Sequence, residues 1–497
     1  MATLANLLDG HGSTENSVII PDNLSINYGE LETEVERVAG LLSGSGLKHG
    51  TSVSIVLENN LEFIVTFLAV TRAGAIAAPL NAAYTSEEFK FYMGDADSQL
   101  VIIGKECDAA ARAASELGIQ VAIAALDEKG KTVISKEGMF LTRSTDPAPP
   151  SENDVALFLH TSGTTSTPKG VPLTHSNLMS SLGNIVQTYK LTSDDVALVV
   201  MPLFHVHGLI GVSLSTLYSG GSIVIPPRFS ASKFWSNQSN TGATWYSAVP
   251  TIHQILLMRA NDDNAPNKSF RFIRSCSAAL APSVFTDLEA RFGAPVLEAY
   301  GMTEASHQMT SNPLPPGFRS PGTVGSGTGV KIAIMDESGT LLGAETRGEV
   351  VIQGPNVTHG YHNNEKANVD AFTNGWFRTG DQGELSQVGI LTLTGRLKEL
   401  INRGGEKISP LEVDAALIKH PSITEAVCFG VPDEKYGETV QAAVVLSKES
   451  TEQEIQSFCG QQLADFKIPE KIHVVKDLPR TATGKIQRRH VAAKFTK

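Results

Sequence analysis

Apolar residues recur at helical spacing from Tyr28 to Leu42 (YGELETEVERVAGLL), which predicts an amphipathic helix. A strand-like run, Ser52 to Leu57, follows, and Leu61 to Thr71 is again helical. Ala75 to Leu80 and Leu100 to Ile103 read as short buried strands. Units alternating in this way predict an α/β sheet with parallel strands. The stretch Ser144 to Asn153 (STDPAPPSEN) is a predicted loop, and the strand Ala156 to His160 runs straight into a Gly/Thr-rich turn. From Gly322 to about Leu393 the helical periodicity fades. Short β-type runs, such as Val330 to Ile334 and Glu349 to Ile352, are separated there by Gly, Pro and Asn, which predicts a small β-barrel or sandwich. After Arg396 the pattern is α+β, with a helix from Pro410 to His420 and strands near Ala426 and Gln441. The domain boundary is placed at Arg396–Glu399, giving a large domain, 1–396, and a smaller one, 397–497.

A chain of 497 residues exceeds what one hydrophobic core usually supports. Apolar residues make up 41% and charged residues 19%, the balance of a soluble globular protein. A net charge of −12 gives no bulk attraction for nucleic acid or an anionic membrane. Cys107, Cys276, Cys428 and Cys459 are far apart, against a zinc ribbon or disulfide framework and in keeping with a reducing compartment. The N-terminus lacks a basic start followed by an apolar run, so no signal peptide is expected. The apolar stretch Phe63 to Leu80 is broken by Arg72 and Gly74 and is too short to span a bilayer. Phe495-Thr496-Lys497 does not match a peroxisomal tripeptide. These features together predict a cytoplasmic enzyme; oligomeric state is left open.

The turn after Ala156 to His160 reads Thr161-Ser162-Gly163-Thr164-Thr165-Ser166-Thr167-Pro168-Lys169-Gly170. Hydroxyls and glycines let backbone N–H groups and side chains point at phosphate oxygens, and Lys169 adds a cation. The order is wrong for a Walker loop, since Lys169 precedes its glycine and follows a proline. TSGTTSTPKG resembles the nucleotide-binding loop of the adenylate-forming superfamily, which includes acyl-CoA synthetases, luciferases and the adenylation domains of peptide synthetases.

Further elements of that family follow in the right order. Tyr300-Gly301-Met302-Thr303-Glu304 resembles its YGxTE element. The resemblance implies an aromatic ring near adenine, Thr303 at the α-phosphate, and Glu304, with Thr164, at Mg2+. Thr379-Gly380-Asp381 resembles the TGD whose aspartate accepts from both ribose hydroxyls. Gly395-Arg396-Leu397-Lys398-Glu399 resembles the hinge, with Arg396 reaching the ribose and Lys398 at the pivot. Pro479-Arg480-Thr481-Ala482-Thr483-Gly484-Lys485-Ile486 resembles the C-terminal loop whose lysine bridges carboxylate and phosphate. The segment Ile401 to Ile408, with Gly404-Gly405, corresponds to the one that approaches the pantetheine tunnel after the smaller domain rotates. ATP, Mg2+ and coenzyme A are the implied cofactors, and a small carboxylic acid the implied substrate. A carboxylate is already an anion at neutral pH, so positioning and electrostatics suffice and no Ser-His-Asp arrangement is needed.

The acid itself is addressed by Met201-Pro202-Leu203-Phe204-His205-Val206-His207, which resembles the family's PxFH element beside the acyl site, and by His307. These imidazoles are compatible with a metal site, with core histidines, or with donors facing a second anionic group on a short substrate. A buried carboxylate needs such donors or cations. The wording of HTSGTTSTPKGVPLTH, MPLFHVHGLIG, FIRSCSAALAP and GRLKELINRGGEKISP resembles the fungal and plant oxalate–CoA ligases, including the fungal peroxisomal-CoA-synthetase-like proteins. That resemblance implies oxalate as the acid, with Ser277, Ala278 and Ala279 lining the adenine and acyl pocket. It also makes the peroxisome the alternative location. Malonate or a cinnamate as substrate, loading of a separate carrier protein, and a catalytically dead nucleotide sensor or RNA-binding protein stand as the competing readings.

Overall fold

A computed structural model describes residues 2–105, 107–161, 168–260 and 270–496. The helix at Tyr28–Gly44 begins where the Asn27 side chain accepts from the Glu30 N–H and Glu30 reaches back to the Asn27 N–H. This reciprocal cap satisfies two of the otherwise orphaned first-turn donors. The helix Leu61–Arg72 is apolar nearly all round and buried along most of its length. Ser52–Val56 and Leu100–Ile103 are buried at every position, as parallel strands covered on both faces must be.

Two large sheets form the body. One runs Lys169–Thr174, Val155–Thr161, Ile76–Pro79, Ser52–Val56, Leu100–Ile103, Gln120–Leu126, Thr132–Lys136, Met139–Phe140. The other has nine strands, among them the parallel neighbours Val196–Leu198, Trp245–Ala248, Phe272–Ser275 and Val296–Met302. The antiparallel strand His307–Ser311 is paired to Val296–Met302. The short β-runs after Gly322 pair into a six-stranded antiparallel sheet, an open path from Leu341–Leu342 to Phe372–Thr373 with Leu391–Arg396 added beside Trp376–Leu385. Beyond Arg396 a five-stranded sheet (Glu406–Ile408, Ile401–Arg403, Gly437–Leu446, Ile423–Asp433, Lys471–Val474) packs on the helix Pro410–Ile418 around its own apolar cluster. Among the described residues no helix is long and apolar enough to cross a membrane.

Parallel strands gather their C-terminal ends on one side of a sheet, where ligands of open α/β folds bind. Here the ends of Trp245–Ala248, Phe272–Ser275 and Val296–Met302 open into one cleft of about 1760 Å³, which the other three sheets also border.

Candidate active site

Charged residues reach that cleft from separate elements. From the eight-stranded sheet come Thr161 and Lys169, which lie opposite each other across an antiparallel pair. Ser162, Gly163, Thr164 and Thr165, between them, lie outside the described residues. Lys169 Nζ stands 4.3 Å from the centre of the Tyr361 ring, a cation–π contact worth about 0.5–2 kcal/mol. The Tyr361 hydroxyl donates to Glu304 Oε1 at 2.9 Å. Burial pushes the Glu304 carboxyl above its usual range, and no ion pair neutralises it among the described residues. A buried carboxylate with room on the cleft side fits Mg2+, which is commonly held by one or two carboxylates plus substrate phosphate oxygens. Thr303 adjoins it at the end of the strand.

Gly301 allows this end of the sheet to close. A Cβ there would lie 2.0 Å from the carbonyl oxygen of His307, so the bulged pairing of Val296–Met302 with His307–Ser311 requires glycine. The preceding Tyr300 donates its hydroxyl to Asp381 Oδ2 at 2.5 Å. Arg396 meets the other oxygen of Asp381 at 3.3 Å. Asp381 thus sits among donors, as a carboxylate meant for hydroxyl groups would. Arg396 ends the six-stranded sheet, and Lys398 follows, exposed at the cleft rim.

Lys485 lies in the loop between the strand Lys471–Val474 and the helix Arg488–Phe495. Its loop is closed by Thr481 N–H to Lys485 O at 2.8 Å and Lys485 N–H to Thr481 Oγ1 at 3.1 Å. Thr251 Oγ1, on the larger body, donates to Gly484 O at 3.1 Å and docks the loop. Burial and then Arg396 lower the Lys485 ammonium to about 8. Gly404 and Gly405, at the tip of the hairpin between Ile401–Arg403 and Glu406–Ile408, are exposed and do not line the cleft. Both glycines have positive φ (+60° and +92°), the geometry a two-residue hairpin turn demands.

At the acyl end Ser277, Ala278, Ala279, His205 and His307 line the cleft. His207 lies behind them, with Nδ1 2.9 Å from Ser277 Oγ and Nε2 2.7 Å from Ser247 Oγ. Its ring stacks on His307, centroids 5.3 Å apart. His205 Nδ1 accepts from the His207 N–H at 3.2 Å, which leaves Nε2 as the donor. Burial and Lys485 lower His205 to about 4. With both nitrogens of His207 engaged by serines, the three imidazoles form a hydrogen-bonding wall, and no metal-binding cluster occurs among the described residues.

Two residues escaped the sequence reading. Tyr361 carries no motif and is recognised only by its position between Lys169 and Glu304. Arg274 is wholly buried at 0% exposure in the strand Phe272–Ser275 and touches His307; its signal was a cation at a core-facing position of FIRS.

Gly211 lies in a π-type turn, Leu209–Leu214, against the His307 ring. A Cβ on Gly211 would sit 2.3 Å from both Cδ2 and Nε2 of His307, so alanine must displace the imidazole. Gly211→Ala is expected to raise the KM for the acid about 10- to 100-fold and to leave the KM for ATP unmoved. Steady-state kinetics in both substrates checks it, and an unchanged acid KM would count against the placement of His307.

Residues 10–362 match the AMP-binding enzyme model, and 412–485 the AMP-binding enzyme C-terminal domain. The chain is 49% identical to the oxalate–CoA ligase of Arabidopsis thaliana, over 99% of this chain and 98% of that one. It is 47% identical to the oxalate–CoA ligase of Saccharomyces cerevisiae (97% and 95%). Identity to the sulfoacetate–CoA ligase of Cupriavidus necator is 36% (93% and 91%). Among solved structures, ATP-bound MatB from Rhodopseudomonas palustris overlays with TM-score 0.90 at 31% identity, covering 100% of this chain and 99% of that chain. Apo MatB, 32% identical with the same coverage, reaches 0.79. The arrangement here is therefore nearer the ATP-bound one, with the Lys485 loop in the cleft. Two family models cover most of the chain and these relatives span it nearly end to end, so the protein belongs to the AMP-binding enzyme family.

Proposed function

We propose that the protein is an AMP-forming acid–CoA ligase that converts oxalate to oxalyl-CoA. The observation that carries this reading is the convergence of Lys169 and Asp381, on strands of two sheets, Glu304, in the turn after Val296–Met302, and Lys485, in a C-terminal loop, on the cleft that also holds the histidine wall. The oxalate–CoA and sulfoacetate–CoA ligases named above take, by name, small acids with a second anionic group, and a wall of neutral donors suits such a group.

The substrates are ATP, a small acid and coenzyme A, with Mg2+ as the metal. Lys169 holds the phosphates; Tyr300 flanks the adenine, and Asp381 with Arg396 takes the ribose hydroxyls. Glu304 would hold Mg2+, which, when bound, offsets charge on the phosphate oxygens. His205, Ser277 and His307 fix the acid so that one carboxylate oxygen points at the α-phosphorus. Lys485 spans that oxygen and the phosphate, stabilising charge as pyrophosphate leaves. The CoA thiol then attacks the acyl carbon, the bond to phosphate breaks, and AMP departs.

The division into an adenylating unit, 1–396, and a mobile unit, 397–497, belongs to this proposal. Arg396–Glu399 is the connection between the six-stranded and five-stranded sheets. Gly404-Gly405 is the segment that reaches the thiol arm once that connection turns. Four free cysteines fit a reducing compartment, and we place the enzyme in the cytoplasm.

An acid panel tests the reading. With ATP, Mg2+ and CoA, oxalate is expected to support AMP formation at least about 100-fold more efficiently, as kcat/KM, than acetate or a cinnamate. If a cinnamate yields AMP and oxalate does not, the assignment of the acid fails.

A further inference from the structure

Arg274 has no role in the scheme above, yet its placement is costly. Its guanidinium is fully buried, and no Asp or Glu among the described residues lies within ion-pair distance. All its partners are neutral. Nε donates to the Tyr189 hydroxyl at 2.8 Å, and Nη1 to Ser247 Oγ at 3.3 Å. Nη2 donates to His307 Nε2 at 2.7 Å and Gln308 Oε1 at 3.0 Å. A buried cation with no counter-charge is strongly unfavourable unless an anion completes the site.

We infer that Arg274 sets the acid pocket's preference for a dianion: from behind, it fixes His307 and Ser277 as hydrogen-bond donors aimed at the second carboxylate. The inference rests on the oxalate reading and adds the positioning residue to it. A guanidinium only donates, so His307 Nε2 must accept, and the proton of the neutral ring sits on Nδ1. Arg274 and Gly211 occupy the Nε2 edge, leaving the Nδ1–H edge to the cleft that His307 lines. Along the second branch, Ser247 Oγ accepts from Arg274 and gives its own proton to His207 Nε2. His207 then donates from Nδ1 to Ser277 Oγ, and the Ser277 hydroxyl proton is left for the substrate. One cation thus polarises two donors through neutral intermediaries.

Backbone geometry supports this independently. Ser277 (φ +71°) and His307 (φ +100°) both occupy the left-handed region without being glycine, a strain that persists where the surroundings impose it. Burial first, then Arg274, holds His207 and His307 well below the usual imidazole range. The charged and titratable groups around His307 are Arg274, His207 and His205, with Lys485 beyond His205.

The test compares oxalate with oxamate, in which a neutral amide replaces one carboxylate, for wild type, Arg274→Met and Arg274→Lys. In Arg274→Met the KM for oxalate at pH 8 should rise about 10- to 100-fold, the effect of losing a charge-assisted hydrogen bond, with the KM for ATP unmoved and oxamate barely affected. Without the guanidinium His307 can take a proton, so this loss should shrink as pH falls towards 6, while wild type stays flat. Arg274→Lys, which keeps the charge, should retain the oxalate preference and stay flat with pH. Equal weakening of both acids at every pH, or an unchanged oxalate KM, overturns the inference. Histidine 15N NMR on wild type needs no variant to fold: His307 should be neutral with its proton on Nδ1, and an Nε2–H tautomer or an imidazolium overturns the proposal. A wild type that ignores oxalate but shows the Nδ1–H tautomer refutes the choice of acid, not the role of Arg274.

Discussion

Lys485→Met is expected to cut acid-dependent exchange of pyrophosphate into ATP by about 100- to 1000-fold, the scale of removing one preorganised charge from a transition state. The loop that carries Lys485 is docked through Thr251 to Gly484 O and closed on itself through Thr481, so methionine removes the ammonium without removing its support. Thiolysis of a supplied acyl-adenylate should suffer far less, because no pyrophosphate charge develops in that step. The pH profile carries a second signature. With its ammonium lowered to about 8, Lys485 is charged below that pH and loses its proton as pH rises through it. Wild-type kcat/KM for ATP in exchange should therefore fall on the alkaline side of about 8, a profile that reports the free enzyme. In Lys485→Met that limb should be missing. Exchange at the wild-type rate in the variant would remove Lys485 from the chemistry.

Lys485 is legible in the sequence where Arg274 is not, and the difference is physical. Phosphoryl chemistry demands particular side chains on particular turns, so Lys169, Glu304, Asp381 and Lys485 stand in short segments whose order can be read along the chain. Arg274 acts through Ser247 and His307, which are distant in sequence and meet only because Trp245–Ala248 pairs with Phe272–Ser275 while His307–Ser311 folds back on Val296–Met302. FIRS shows a cation inside a buried-strand segment, but nothing local in it names the partners that the cation meets. The fold shows the same division. The helix Tyr28–Gly44 and the strand Leu100–Ile103 follow from periodicity and burial. That Asn16–Ile20 joins the second sheet beside Ser222–Val224 depends on long-range pairing that no window contains. Gly404-Gly405 was legible as a turn, but its distance from the cleft in this arrangement depends on how two units dock, which local sequence does not encode.

Glu304→Gln separates charge from shape at the other end of the cleft, and its expected effect on exchange is again about 100- to 1000-fold. The amide oxygen can still accept from the Tyr361 hydroxyl that now meets Oε1, so Lys169, Tyr361 and residue 304 keep their arrangement. What is lost is the negative charge that Mg2+ and its phosphates require. Stability should move the opposite way. Burial raises the Glu304 carboxyl in the folded protein, so between the unfolded and folded pKa values the native state binds more protons. Stability from this group therefore falls as pH rises through that window and is at its lowest at neutral pH. Removing an uncompensated buried charge should thus raise the thermal midpoint of the ligand-free variant at pH 7. The advantage over wild type should shrink as pH falls through the carboxylate range, where Glu304 takes up its proton. A variant that is inactive and less stable at pH 7 would mean that Glu304 holds the fold rather than the metal; one that is inactive and more stable has lost only the charge that the reaction uses.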